Sequence, residues 1–452
     1  MTDVPHLYDY TALYEPKDTP AHLGALLTGQ GARSLYDSVC QCNRCGYCAQ
    51  VCPTFRLTGR EGESARGRNQ LMRMLMNGRL RASESGAGIG RLLDDCLLCG
   101  ACERACFTAV RTPLHVWEGL RVLGIKRFPA GLRRVLRRLA TDRESMRGVM
   151  RVYNLMRKAA GMFRRGGSSD AGVPAGAVLG RPRLRFLELH ETEQAAPENA
   201  ACIYFASCSE EYVSPETGSS ALLLIRTFVG WPVVMSGNCC GFYAFMAGDI
   251  EAARAALGAV IEKYEKISGS RELPLVCACA DCAGFLRMAE QLFSESDEMR
   301  PRAARLAANV REVAELMAPE FFEPQGCGEA APLVATGHFP AGLGRSAKTA
   351  ACAETLLDRI FGSGYHPHRE SAMPSGAYGG YPFVNIGLAN RLLRRKAENI
   401  AGVQASLTVT ATVAEAEWIG AGLRRYCAGA GAAHYCVVLR NCVQEKFHAD
   451  KI

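Results

Sequence analysis

Eight of the cysteines in this chain stand in two runs of identical spacing: Cys42, Cys45, Cys48 and Cys52, then Cys96, Cys99, Cys102 and Cys106, each reading C-x2-C-x2-C-x3-C. Three thiolates on one tight loop can cap three irons of a four-iron cluster, and a fourth lies about a helical turn further on. Ligands of this kind support one-electron transfer. A second constellation holds Cys208, the Cys239-Cys240-Gly241 triplet, and the Cys279-Ala280-Asp281-Cys282 segment. Its five thiolates exceed the four ligands of a tetrahedral zinc, so their convergence implies a polynuclear centre. Scattered buried thiols are the plain alternative, but a CCG triplet paired with a downstream C-x2-C argues against it. Structural zinc usually draws on two separated C-x2-C pairs, and disulfides need an oxidising compartment. The chain's 21 cysteines cluster instead in ligand-like spacings, which points to metal in a reducing one.

Such residues need a scaffold, and the pattern along the chain changes twice. Residues 1–30 read as an irregular arm, and a short helix from Ser34 to Val39 leads into the first cysteine loop. Gly67 to Met76 has helical periodicity, whereas Gly86 to Gly90 reads as a loop. Between Arg121 and Arg165 lie one or two basic amphipathic helices, with Arg133, Arg134, Arg137, Arg138, Arg151 and Arg157 against Leu132, Val135, Leu136, Leu139 and Val149. Gly166 to Gly180 is a Gly/Ala/Ser/Pro linker. Beyond Pro197, strands at Ala201–Ala206, Pro232–Met235 and Leu273–Cys277 alternate with helices at Thr217–Phe228 and Ile250–Lys266. That alternation predicts α/β layers on a parallel sheet. Each group of the five-cysteine set falls at a strand end, where open α/β sheets place their ligands.

A chain of 452 residues corresponds to about three domains at ~150 residues each. The net charge of +8 is concentrated in the basic helices. Either they are a solvated face covering the cysteine-run domain, or they dock on a partner subunit or an anionic membrane surface. Nucleic acid does not suit them, since a binding module and interleaved aromatics are missing. The N-terminus lacks the features of a signal peptide, and apolar stretches such as Ala221 to Ile225 fall far short of the ~18 residues of a membrane span. A soluble or peripheral protein is expected.

The two cysteine runs resemble the two-cluster ferredoxins, in which the fourth cysteine of one run ligates the other cluster. That resemblance implies one cubane on Cys42, Cys45, Cys48 and Cys106, and another on Cys96, Cys99, Cys102 and Cys52. Pro53 follows the first run as in ferredoxins, while Phe107 replaces proline after the second. The C-x(30)-CCG-x(37)-C-x2-C pattern from Cys208 to Cys282 resembles the CCG domain of heterodisulfide reductases, which binds a noncubane [4Fe–4S] cluster. Joined in one chain, the two parts resemble the D-type family of heterodisulfide reductase chains. Relatives by the same resemblance are cytoplasmic iron–sulfur subunits of membrane redox complexes and of glycolate oxidase and anaerobic glycerol-3-phosphate dehydrogenase. Arg66-Gly67-Arg68-Asn69-Gln70-Leu71 is similar to the family as well.

A second, degenerate CCG unit is also discernible. His338-Phe339-Pro340-Ala341-Gly342-Leu343-Gly344-Arg345 resembles HDPCxLGR with Ala341 in the cysteine place. Pro374-Ser375-Gly376-Ala377-Tyr378-Gly379-Gly380 resembles CCGAGGG, and Thr410-Ala411-Thr412-Val413-Ala414-Glu415 resembles TACPxC. A phosphate loop is the competing reading of the glycines near Tyr378, but their spacing matches no dinucleotide fingerprint.

The resemblance implies an α+β multidomain protein: a helical two-cluster ferredoxin-like domain (31–118), basic helices and linker (119–180), a CCG domain (196–295), a degenerate CCG-like domain (331–425) and a tail (426–452). It implies two cubane [4Fe–4S] clusters, one noncubane cluster and an electron-transfer role in an anaerobic, membrane-associated respiratory complex on the cytoplasmic face. Its partners would be an integral membrane subunit or a flavoprotein. The alternatives are a subunit of a flavin-dependent lactate, glycolate or glycerol-3-phosphate dehydrogenase, or a catalytic subunit in which the five cysteines reduce a disulfide. Cys40, Cys202 and Cys277 read as packing residues, Cys327 and Cys352 have no evident role, and Cys427, Cys436, Cys442, His434 and His448 form a loose group that buried thiols explain.

Overall fold

The computed structural model describes residues 39–76, 79–80, 82–141, 196–294, 297–322, 333–340, 342–427 and 430–449. The N-terminal arm, the start of the helix at Ser34, the basic segment beyond Thr141, the linker, Cys327 and Ala341 lie outside them.

Cysteine loops interrupt the first third, so its helices are short: α1 Tyr47–Val51, α2 Pro53–Thr58, α3 Ala65–Met76, α4 Ala82–Asp94, α5 Ala101–Arg104, α6 Thr112–Val122 and α7 Ala130–Thr141. Pro53 opens α2, where its missing N–H and fixed φ suit the first helical position. The loop expected over 86–90 is instead the middle of α4. Ile89 and Leu93, four residues apart, bury on one helix face, and that packing outweighs a glycine penalty of about 1 kcal/mol per residue.

From residue 200 the chain alternates as expected: β1 Ala200–Phe205, α8 Cys208–Tyr212, α9 Pro215–Phe228, β2 Trp231–Met235, α10 Phe242–Met246, α11 Ile250–Ser268, β3 Leu275–Cys277, α12 Ala280–Arg287, α13 Met299–Asn309, β4 Val310–Glu312 and α14 Val313–Leu316. The sheet order is β2-β1-β3-β4, with every pairing parallel. Helices cover both faces of such a sheet, so β1 and β3 are continuous apolar runs buried throughout most of their length. Ser207 starts α8 through a capping box with Glu210, which fixes the residue before Cys208.

The second α/β unit comprises β5 Ala335–His338, α15 Ala347–Phe361, α16 Ile386–Ala401, β6 Leu407–Thr410, α17 Val413–Tyr426, β7 Gly431–His434 and α18 Tyr435–Ala449. Its strands run parallel in the order β5-β6-β7, and a parallel bridge joins Ala335 to Tyr365 on the other side of β5. With that bridge standing for β2, the topology repeats the first unit. The segment expected as a tail thus supplies β7, and α18 packs against α9. Gly241 (φ 93) and Gly376 (φ 95) show the repeat at atomic scale, because a Cβ on either would meet a helix carbonyl, Ala253 O at 2.8 Å or Ala389 O at 2.7 Å.

The parts share one core. Trp117 of α6 stacks on Phe245 of α10 at 4.7 Å, and its Nε1 donates to Phe245 O at 2.8 Å. Tyr381 donates to Asp95 O, and Glu370 binds both Arg56 and Arg395. Helix α7 packs on α10 and α11 with Leu132 and Leu136 inward, and Arg137 pairs with Asp249 at 2.6 Å. This part of the basic stretch therefore covers the first α/β unit, not the cysteine-run domain, and leaves Arg134 and Arg138 exposed.

Candidate metal centres

The two cysteine loops are backbone copies of each other. Arg44 (φ 55) and Gly46 (φ 88) flank Cys45, as Leu98 (φ 56) and Gly100 (φ 73) flank Cys99. Alternating left-handed residues turn successive N–H groups toward one concavity, the kind of nest that holds anionic groups and iron–sulfur centres. Arginine and leucine are unusual at such φ values, which cost about 1–3 kcal/mol each and persist where surroundings enforce them.

Each loop borders a cavity. One is lined by Cys42, Cys45, Cys48, Cys102 and Cys106. The other is lined by Cys52, Cys96, Cys99 and Cys102. The last cysteine of each run has a threonine two residues on, and both Cys52 Sγ–Thr54 Oγ1 and Cys106 Sγ–Thr108 Oγ1 are 3.3 Å. These threonines were missed from sequence, although the shared C-x-T was the available signal. The first cavity lies near the surface, beside exposed Cys45, Tyr47 and Phe107, whereas Cys52, Cys99 and Cys102 are buried. Burial pushes the thiol of Cys48 up to about 11 and that of Cys99 up to about 12. Metal binding must therefore displace protons here.

Arg68, 1 % exposed, lines the second cavity. Its Nε donates to Leu92 O at 2.8 Å and its Nη1 to Thr54 Oγ1 at 3.0 Å, but Nη2 has no partner. An unpaired buried guanidinium N–H beside four thiols fits a bound anionic cluster, whose sulfur can accept that hydrogen bond.

The five remaining cysteines converge where the sheet order of the first α/β unit brings three loops together. Cys208 starts α8, Cys239 and Cys240 follow β2, and Cys279 caps α12 with Cys282 in its first turn. Cys240 Sγ lies 3.3 Å from Cys282 Sγ, and Gly241 N–H donates to Cys239 Sγ at 3.4 Å. Hydrogen bonds from Cys208 and Cys240 hold the Cys239 thiol well below its ordinary value. The hydrogen bonds with Cys239, together with burial, push Cys208 and Cys240 up, and those with Cys240 and Cys279, together with burial, push Cys282 up. Ionising Cys208, Cys240 and Cys282 is therefore favoured by cationic charge among them.

In the second unit the corresponding places hold Pro374, Ser375, Thr412 and Glu415. The glycine segment after Gly376 is buried packing: Tyr378 accepts from Leu343 N–H at 2.7 Å. The C-terminal cysteines do not converge. Cys427 and Cys442 bond to Ala397 O and Val438 O, and Cys436 is fully buried. Cys202 and Cys277 are fully buried strand residues. Among the described residues, no three His, Cys, Asp or Glu side chains are grouped to hold a single metal ion.

Comparison with known proteins agrees with these centres. Residues 38–110 match the 4Fe-4S dicluster domain and residues 202–287 the cysteine-rich CCG domain. The chain is 23% identical over 392 residues to the probable glycolate oxidase iron-sulfur subunit of Bacillus subtilis (strain 168), covering 82% of this chain and 86% of that protein. It is also 23% identical over 395 residues to the glycolate oxidase iron-sulfur subunit of Escherichia coli (strain K12), covering 85% and 91%. The paired cysteine loops, the five-thiol convergence on a parallel sheet and both domain matches mark this chain as an iron–sulfur protein that carries a 4Fe-4S dicluster domain and a CCG domain.

Proposed function

We propose that this chain is the iron–sulfur subunit of a flavoprotein dehydrogenase acting on glycolate or a similar 2-hydroxy acid. Two cubane clusters and one noncubane cluster would relay electrons taken from the flavin. The observation that carries the reading is the continuity of the three cysteine sites. Cys102 borders both loop cavities, and the second loop abuts the α/β units, where Arg104 Nη2 donates to Arg345 O at 2.8 Å. Similarity to two glycolate oxidase iron–sulfur subunits over 82% and 85% of the chain supports the substrate class.

Bound clusters supply the one-electron chemistry. The chain positions their ligands: Cys42, Cys45, Cys48 and Cys106 for the outer cubane, Cys96, Cys99, Cys102 and Cys52 for the inner, and Cys208, Cys239, Cys240, Cys279 and Cys282 for the third. The outer site, beside Tyr47 and Phe107, is the entry for electrons from a partner. Arg68 raises the affinity of the inner site for an electron, and apolar packing around Trp117 and Phe245 excludes water. Co-purification with an FAD-containing subunit, and reduction of the clusters when glycolate is added anaerobically, is the expected result. A complex that is inert to 2-hydroxy acids but passes electrons to a heterodisulfide would establish the disulfide-reducing alternative instead.

Exposed Arg134 and Arg138 favour a further element of this reading, peripheral attachment to the anionic inner face of the cell membrane in a respiratory complex. Among the described residues no helix is long and apolar enough to cross a membrane. Replacing both arginines with glutamine should weaken binding to anionic vesicles by about 1 kcal/mol per charge at low salt. Equal sedimentation of both proteins with such vesicles would contradict it.

A further inference from the structure

In the second α/β unit, the place that corresponds to the five-thiol site holds a buried acid–base pair. His338 closes β5, Glu415 stands in a cysteine place at the start of α17, and neither is more than 1 % exposed. His338 Nδ1 lies 3.2 Å from Ser371 O. A carbonyl only accepts, so Nδ1 carries the ring proton, and Nε2 is left as a bare acceptor. Nε2 has no hydrogen-bond partner and lies 3.7 Å from Glu415 Oε1, which has none either. The other carboxylate oxygen lies 3.2 Å from the Thr412 hydroxyl. Two acceptors facing one another in a dry site repel each other, unless one holds a proton. Ser375 Oγ, in the place of Cys240, is a third fully buried atom without a partner.

The groups around the pair tie it to the thiols. Arg345 Nη2 is 3.7 Å from Glu415 Oε2 and 2.7 Å from Asp281 Oδ1, and Asp281 lies between Cys279 and Cys282 in sequence. On the other side, Lys396 Nζ lies 3.2 Å from His368 Nε2 and donates to the carbonyls of Glu370 and Ser371. The His368 ring is centred 6.3 Å from that of His338. Burial, opposed by the charge of Arg345, leaves the Glu415 carboxyl at about 7. Burial likewise lowers Lys396 to about 7 and His368 to about 3, so His368 is neutral, and burial with the charge of Lys396 holds the His338 imidazole well below its ordinary value, which leaves Glu415 as the stronger proton acceptor of the pair.

We propose that the His338–Glu415 pair is a proton-binding site that fills when the five-thiol centre is reduced, making this step a proton-coupled electron transfer. The inference rests on the reading that the five thiols hold a redox cluster. One electron enters that cluster from the cubane relay. One proton leaves solvent hydronium and forms a bond to His338 Nε2 or Glu415 Oε1, so the buried region gains no net charge. Each added electron raises the proton affinity of the pair about tenfold through a low-dielectric interior.

Redox titration of the full chain, followed by electron paramagnetic resonance at several pH values across neutrality, tests this. The potential of the five-thiol centre should fall as pH rises, by at most about half a proton per electron near neutrality, which is what a tenfold change in affinity allows, and in Glu415→Gln that dependence should flatten while iron content and the signal persist. A potential independent of pH in the unmodified chain, or an unchanged slope in Glu415→Gln, would overturn the proposal. Redox-difference infrared spectra of the unmodified chain provide a measurement free of folding effects. A protonated carboxyl or imidazolium band appearing on reduction and shifting in D2O supports the site, and its absence overturns it. Iron analysis separates the two ideas: missing iron at the five thiols overturns the cluster reading and this inference together, whereas full iron with a flat pH profile overturns this inference alone.

Discussion

Cys240→Ser should abolish the resonance signal of the five-thiol centre and cut electron flux through the assembled complex at least about 100-fold, leaving both cubane signals in place. Changes in groups that merely orient metal ligands cost about 10–100-fold, and Cys240 sits inside the sulfur network, 3.3 Å from Cys282 Sγ and hydrogen-bonded to Cys239. Serine is a harder donor to iron and ionises far less readily. Cys99→Ser should act in reverse, removing the inner cubane signal and sparing the five-thiol centre. A Cys240→Ser chain with every signal and full turnover would show that the five thiols are not a working redox centre.

Arg68→Met should destabilise the chain by about 3–5 kcal/mol, the usual cost of stripping one member from a buried charged network. From α3 its guanidinium binds Thr54 Oγ1 in α2, Glu63 O in the turn before α3 and Leu92 O in α4. The same loss of a buried positive charge beside Cys52 and Cys96 should lower the potential of the inner cubane, since reduction adds negative charge there. Arg68→Lys keeps the charge but not the fork, so it should restore the potential more fully than the stability. Denaturant unfolding and redox titration read the two effects separately. An unchanged inner-cubane potential in Arg68→Met would place the charge outside the redox site.

The α/β half was readable to within a residue or two because buried parallel strands are unbroken apolar runs. β2 was expected from Pro232 and starts at Trp231, and α11 was expected to Lys266 and ends at Ser268. Cysteine spacing was equally informative, since ligand chemistry restricts residue type more tightly than packing does. What spacing does not encode is conformation enforced from a distance. Nothing in Arg44 or Leu98 marks a left-handed residue, a geometry usually carried by glycine or asparagine. The glycines near Gly90 suggest a loop until the apolar face of Ile89 and Leu93 finds its core. Arg68 stands out in sequence only as part of the family-like segment Arg66 to Leu71, and only the fold brings Thr54, Glu63 and Leu92 around it. β7 was missed because Gly431-Ala432-Ala433-His434 has no strand-like composition and is recruited by pairing with β6. The bond from Glu370 to Arg56 spans 314 positions, beyond any local pattern.

Anaerobic iron and acid-labile sulfide analysis of the intact chain tests the central claim most directly. Three complete thiolate sets and a fourth without cysteines predict about twelve irons per chain. About eight would remove the five-thiol cluster, and about sixteen would mean that the second α/β unit, with Ser375, Thr412 and Glu415 in the cysteine places, binds a cluster after all.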